Sequence, residues 1–163
     1  MTAVPKLVVV ENDKVEGTDK HNVTGNFSGP TGPTPSTWIG EFDYKGKVTD
    51  ALSDFVKIDG KSVATVGSKS SLNPGQTAPG GGHHPTGGKN WLPPTPAPIP
   101  TTLSIPEPIG EGRPSAVSGS TFVKVGGQKL LLDGDKIDTC DGVGVPMNST
   151  VTAEGQSFVS CSG

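Results

Sequence analysis

The stretch "DFVKIDGKSVATVGSKSSLN", residues 54–73, consists of two short apolar runs on either side of the dipeptide Asp59-Gly60. An Asp-Gly pair flanked by β-branched residues is a strong signal for a β-hairpin, because both positions tolerate the positive φ angles of a primed turn. The stretch "TFVKVGGQKLLLDGDKIDTC", residues 121–140, repeats this pattern with Gly126-Gly127 at the turn. The sequence therefore predicts the same hairpin twice in one chain.

Two further segments resemble parts of this repeat. "VTAEGQSFVSC", residues 151–161, aligns as a third copy when Glu154-Gly155 is placed at the turn. "VVVENDKVEGTD", residues 8–19, matches residues 130–141 at the end of the second copy. We therefore predict that the N-terminal strand lies beside the C-terminal hairpin and completes a third unit. Three such hairpins, with turns at 59–60, 126–127 and 154–155, would give one chain an approximate three-fold character.

The composition favours an ordered β structure with an unusually small apolar core. Only 31% of the residues are hydrophobic, and Gly and Pro supply 24 and 16 of the 163 residues. That share of Gly and Pro approaches the range of low-complexity chains, but the net charge of -3 is small and the apolar residues form β-branched runs. Since one hairpin cannot bury its apolar face alone, repeated hairpins stack or close around an axis. We predict an all-β fold of short β-hairpins in a single domain over residues 1–163.

A Pro- and Gly-rich segment separates the two full repeats. Its prolines interrupt ladder pairing and its glycines disfavour helix. We predict a long insert loop over residues 73–118, with its densest Pro and Gly content in 73–114. A flexible linker between two domains is the alternative. An ordered loop is favoured because the flanking hairpins are too small to stand alone, and because Trp91, Leu92 and Ile99 offer apolar anchors.

Charge and hydropathy argue against nucleic-acid binding and against stable membrane insertion. The Lys and Arg residues are dispersed, so no basic stripe could follow a phosphate backbone. The apolar run near the N-terminus is too short for a signal peptide, and no run reaches membrane-spanning length. We therefore expect the protein to fold in the cytoplasm, where cysteines stay reduced.

The histidines and one cysteine are candidates for a metal site. Three imidazoles and one thiolate would make a closed tetrahedral zinc site of the structural kind. Cys140 ends the second repeat at the position where the first has Asn73, and His21 follows the N-terminal half-repeat. If strand ends converge at one pole, both residues lie near the loop that carries His83 and His84. The alternative is that the adjacent histidines form a solvent-exposed pair.

The second cysteine, Cys161, is expected to be a small buried residue lower on the structure. A Cys140–Cys161 disulfide is the alternative if the protein matures outside the cytoplasm. Catalysis finds little support, because no nucleophile elbow is present and "PGGGHH" lacks the Lys-Ser or Lys-Thr of a phosphate loop. A closed zinc site also leaves no coordination position for water. We expect a protein that is not an enzyme.

Several segments in series resemble the PAAR-repeat family, in particular a PAAR-like branch associated with phage-tail-like contractile injection systems. They are "NDKVEGTDKHNVTG" (12–25), the segment 38–73, the repeat 121–140 and "CDG" (140–142). The family's namesake tetrad is replaced here by Ser62-Val63-Ala64-Thr65.

The resemblance implies a small β cone with a sharp apex, whose base sits on a trimeric β-helical spike protein of the valine-glycine-repeat type, one copy per trimer. It implies a zinc ion near the apex, carried over to His21, His83, His84 and Cys140. The implied function is to cap and sharpen the spike for piercing an envelope, with effector cargo as a further partner. Assembly would take place in the cytoplasm, with delivery on contraction. The alternatives are a free-standing β-rich adhesion or binding module and a zinc-dependent toxin.

Overall fold

The computed structural model describes residues 4–29, 31–85, 88–89, 100–140 and 148–163, with only the backbone of residues 27–29 and 100–102. These residues form thirteen strands and no helix, which confirms the all-β prediction. The strands are β1 Lys6–Leu7, β2 Lys14–Gly29, β3 Gly32–Asp50, β4 Lys57–Ile58, β5 Lys61–Ser62, β6 Lys69–Leu72, β7 Pro100–Ser104, β8 Glu111–Pro114, β9 Lys124–Val125, β10 Gln128–Lys129, β11 Lys136–Thr139, β12 Ser149–Thr152 and β13 Ser160–Cys161. Over the described ranges, no apolar helix capable of crossing a bilayer is found.

Three buried tripeptides meet at the centre of the repeat region. They are residues 8–10, 63–65 and 130–132. The N–H of Val9 donates to the carbonyl of Leu131, Leu131 donates to Ala64, and Ala64 donates back to Val9, with N···O distances of 3.0, 3.0 and 2.9 Å. This closed ring of hydrogen bonds relates the three segments by an approximate three-fold axis.

Each tripeptide is preceded by a short antiparallel hairpin. The first two are the predicted ones, β4–β5 and β9–β10. The third is formed by β13 and β1, with Cys161 opposite Lys6 and Val8 N–H donating to Val159 O. The N-terminal strand therefore lies beside the C-terminal one and completes the third unit, as predicted.

The alignment of the third unit within its own segment was wrong. Gln156 takes the place of Ser53 and Ser120, because each accepts a hydrogen bond from the N–H three residues later. Glu154-Gly155 therefore precedes the hairpin and is not its turn. The two strands of this unit come from distant residues and need no tight turn, so the strongest turn signal of the segment led to the wrong register.

The same turn follows each tripeptide. The N–H groups of Val10, Thr65 and Leu132 donate to the side chains of Asp13, Ser68 and Asp135, at 2.7, 3.0 and 2.8 Å. Asp13 is buried and its carboxylate also accepts hydrogen bonds from the N–H groups of Glu154 and Gly155. This side chain therefore joins the N-terminal and C-terminal segments that together form the third unit.

Beyond the repeat region, six antiparallel strands close into a ring in the order β2, β3, β6, β8, β11, β12 and back to β2. β2 and β3 form a hairpin of 16 and 19 residues, far longer than the predicted short hairpins. The predicted insert loop, 73–118, supplies β7 and β8 to this sheet, so it is not a loop throughout. The anchors proposed within it, Trp91, Leu92 and Ile99, lie outside the described residues.

Replacing Asp13 with Ala should cost about 3 kcal/mol of unfolding free energy, because buried N–H groups lose a charged acceptor. Ser68→Ala, the equivalent change in the first full repeat, should cost about 1 kcal/mol, since its neutral hydroxyl is the weaker acceptor. Urea unfolding of both variants measures the difference, with exposed Asp50→Ala as the control. Equal losses for Asp13→Ala and Ser68→Ala would contradict this assignment.

Candidate metal centre

The inward side chains of β2 change from apolar to polar and back along the strand. Because side chains alternate across a strand, Val15, Asp19, His21 and Val23 all face the interior, and all four are buried. Val15 belongs to an apolar cluster with Val48, Ile137 and Val151 on the repeat side. Val23 belongs to a second cluster with Trp38 and Phe42 on the far side. Asp19 and His21 therefore lie in a polar layer between two apolar ones.

The insert places His83 in this layer. The N–H of Asn73 donates to Lys45 O, and Lys89 pairs with Glu41, so the insert lies beside β3 at both of these points. Within it, the N–H of His83 donates to Gln76 O at 2.7 Å. The His83 ring is only 1% exposed and packs against Phe42 and Tyr44, with ring centroids 5.9 and 5.8 Å away.

Cys140 follows β11, which is the third chain segment that contributes a side chain to this layer. Its φ angle is 55°, in the left-handed region that residues with a side chain seldom adopt. The backbone is held there by a hydrogen bond from the N–H of Cys140 to Glu111 O, at 2.7 Å. The sulfur accepts a hydrogen bond from the N–H of Gly110 at 3.3 Å, the kind of contact that stabilises a thiolate ligand.

These segments bring four potential ligand atoms together. One ligand atom from each of Asp19, His21, His83 and Cys140 lies within 4.8 Å of the others. Nε2 of His83 is 3.0 Å from Oδ2 of Asp19 and 3.6 Å from Sγ of Cys140. The group could hold a metal ion, since carboxylate, imidazole and thiolate are all common ligands.

The structure gathers three of the four residues proposed from the sequence. His84 is half-buried and is not part of the group among the described residues. Asp19 is part of it and was not proposed. The signal that could have revealed it is the spacing Asp19-x-His21, which places both side chains on one face once β2 is identified as a strand.

The ring nitrogens of His21 are consistent with a ligand role. Both are buried without a hydrogen-bond partner among the described residues. Buried polar atoms are nearly always paired, so such atoms require an explanation, and a bound ion is one. Burial lowers the pKa of His21, and the charge of Asp19 only partly opposes this effect. The imidazole is therefore held in the neutral form that binds metals.

The two cysteines lie in different parts of the molecule, and no disulfide joins them. Cys161 is half-buried and packs against the cluster formed by Val8, Val10 and Leu132 at the repeat end. The disulfide considered above is therefore not formed in this structure.

Comparison of the chain with protein-family models, with curated proteins and with solved structures returned no match in any of the three.

Because only one of the adjacent histidines enters the cluster, His83→Ala should abolish stoichiometric metal binding and lower the melting temperature, whereas His84→Ala should retain both. Elemental analysis of the purified proteins and thermal unfolding with and without a chelator make the comparison. Metal loss in His84→Ala with retention in His83→Ala would contradict the site.

Proposed function

We propose that this protein is a non-enzymatic spike tip of a contractile injection system, which caps a trimeric β-helical spike with one copy per trimer. It would be assembled in the cytoplasm and delivered on contraction. The observation that carries the proposal is a set of three exposed phenylalanines at equivalent positions around the approximate three-fold axis.

The three phenylalanines are Phe55, Phe122 and Phe158, which are 72%, 76% and 68% exposed. Each stands two residues after the side chain that caps its hairpin, so the internal repeat places them alike. Aromatic residues are enriched among those that dominate binding energy at protein interfaces. A partner with three-fold symmetry offers three copies of one pocket to such a surface.

A structural zinc ion in the buried cluster would suit this role. In a tetrahedral zinc site, bonds of about 2.3 Å to sulfur and about 2.0–2.1 Å to nitrogen or oxygen separate S from N by roughly 3.5 Å and N from O by roughly 3.3 Å. The corresponding distances here, from Nε2 of His83, are 3.6 Å to sulfur and 3.0 Å to oxygen. Zinc would link β2, the insert and the end of β11 in a protein with little apolar core.

The β2–β3 hairpin offers the piercing element. It continues past His21 through residues 22–29 and 32–39, so the cluster lies below the end of the hairpin and not at the tip. From Asn22 to Gly40 the sequence contains no charged residue. Charged side chains are costly in hydrocarbon, so an uncharged projection is suited to brief passage through a membrane.

Mixed with the trimeric spike protein of its own injection system, the wild-type chain should form a complex of one copy per three spike chains. Phe55→Ala, Phe122→Ala and Phe158→Ala should each weaken binding about 10-fold or more, because each side chain would fill an equivalent pocket. Light scattering after size exclusion gives the stoichiometry, and calorimetry gives the affinities.

Ile39→Ala is the matched control, since Ile39 is also exposed but lies on the projecting hairpin. If only one of the three phenylalanine variants lost affinity and the other two bound like the wild type, three-fold contact would be contradicted. Absence of any complex would favour the free-standing binding module.

A further inference from the structure

We infer that Asp19 is the fourth ligand of the metal centre, binding through Oδ2, and that Asn148 and Thr139 hold its carboxylate in the binding orientation. The inference rests on the structural metal site proposed above and specifies its donor set as two imidazoles, one thiolate and one carboxylate.

The first argument concerns a single nitrogen. Nε2 of His83 is close to both Sγ of Cys140, at 3.6 Å, and Oδ2 of Asp19, at 3.0 Å. A ring nitrogen carries either a hydrogen or an available lone pair, so it cannot donate to Asp19 while binding an ion shared with Cys140. Since Nε2 is the His83 nitrogen that contacts the sulfur, it is the ligand atom, and Oδ2 beside it faces the same ion.

The second argument concerns the other carboxylate oxygen. Nδ2 of Asn148 donates to Oδ1 of Asp19 at 2.5 Å, and the hydroxyl of Thr139 also contacts this oxygen. The amide of Asn148 is oriented in turn, because its oxygen accepts the N–H of Thr139 at 3.1 Å. The hydroxyl of Ser149 lies 2.8 Å from that of Thr139 and completes the network. Oδ1 is therefore satisfied by the protein, and Oδ2 is directed toward the cluster.

The third argument concerns the number of ligands. Structural zinc sites almost always have four protein ligands. Without Asp19, the gathered side chains in the described part of the chain would supply three, because His84 lies outside the group. Asp19 is fully buried, and a buried carboxylate is costly unless it is paired or coordinates a metal. A cation bound by Asp19 would have its fourth ligand, and the buried carboxylate would have a compensating charge.

Cobalt(II) substitution tests the inference, because the ligand-field bands of cobalt report the donor set and a separate charge-transfer band reports the thiolate. In Asp19→Asn the ligand-field bands should change and the thiolate band should persist, with weaker affinity. In Asn148→Ala the bands should stay as in the wild type, while zinc affinity falls roughly 10- to 100-fold, as is typical when an outer partner is lost. Competition with a chromophoric chelator measures both affinities.

Two further variants keep the test decisive. Asp19→His should bind cobalt stoichiometrically with shifted ligand-field bands, which shows that position 19 contributes a ligand even if Asp19→Asn folds poorly. Asp50→Asn, an exposed aspartate on β3, should behave as the wild type. Wild-type ligand-field bands in Asp19→Asn, with an affinity loss no greater than in Asn148→Ala, would overturn the inference and make Asp19 an outer partner of His83. Failure of the wild type to bind zinc or cobalt would instead overturn the metal site itself.

Discussion

The closed ring of hydrogen bonds between Val9, Ala64 and Leu131 is the interaction on which the rest of the structure depends. Each of these residues is both donor and acceptor, so no segment can leave without opening two bonds. All three are fully buried. The ring fixes the three hairpins around one axis and sets the directions in which the chain leaves them. The closed ring of six strands, a small β-barrel, follows from those directions.

The barrel must fill its interior with few apolar residues. One layer around Val15 and Ile137 and another around Trp38 and Phe42 are apolar, but the layer between them holds Asp19, His21, His83, Cys140 and Thr139. A polar layer of this kind is stable only if its members satisfy one another. Thr139 and Asn148 satisfy one oxygen of Asp19, but both ring nitrogens of His21 are without a hydrogen-bond partner among the described residues. A cation bound between a histidine nitrogen and the second oxygen of Asp19 would supply the missing partner.

The sequence predicted the repeat region well, because Asp59-Gly60 and Gly126-Gly127 carry the turn signal locally. The pairing of β1 with β13 was also predictable, since residues 8–19 match the end of the second repeat. The long β2–β3 hairpin was not, because its inward positions include Gly17, Asp19 and His21 and do not show the usual apolar alternation. Gly17 has a separate reason: a Cβ there would lie 2.3 Å from Asn148 O, where β12 approaches. Asp19, the fourth member of the cluster, was missed because the strand that carries it was not predicted.

The repeat region is approximately three-fold, whereas the rest of the molecule is asymmetric. Both features arise because a single chain supplies all three hairpins. The repeat supplies three equivalent hairpins, but the three chain segments that continue from them differ. After Asp13 the chain becomes the long strand with Asp19 and His21, after Ser68 it becomes β6 and the insert with His83, and after Asp135 it becomes β11 and reaches Cys140. Each of the three units therefore delivers at least one member of the cluster. In the proposed function, a single ion would link the same three units that contact the three spike chains, so that force on any one of them is shared by all three.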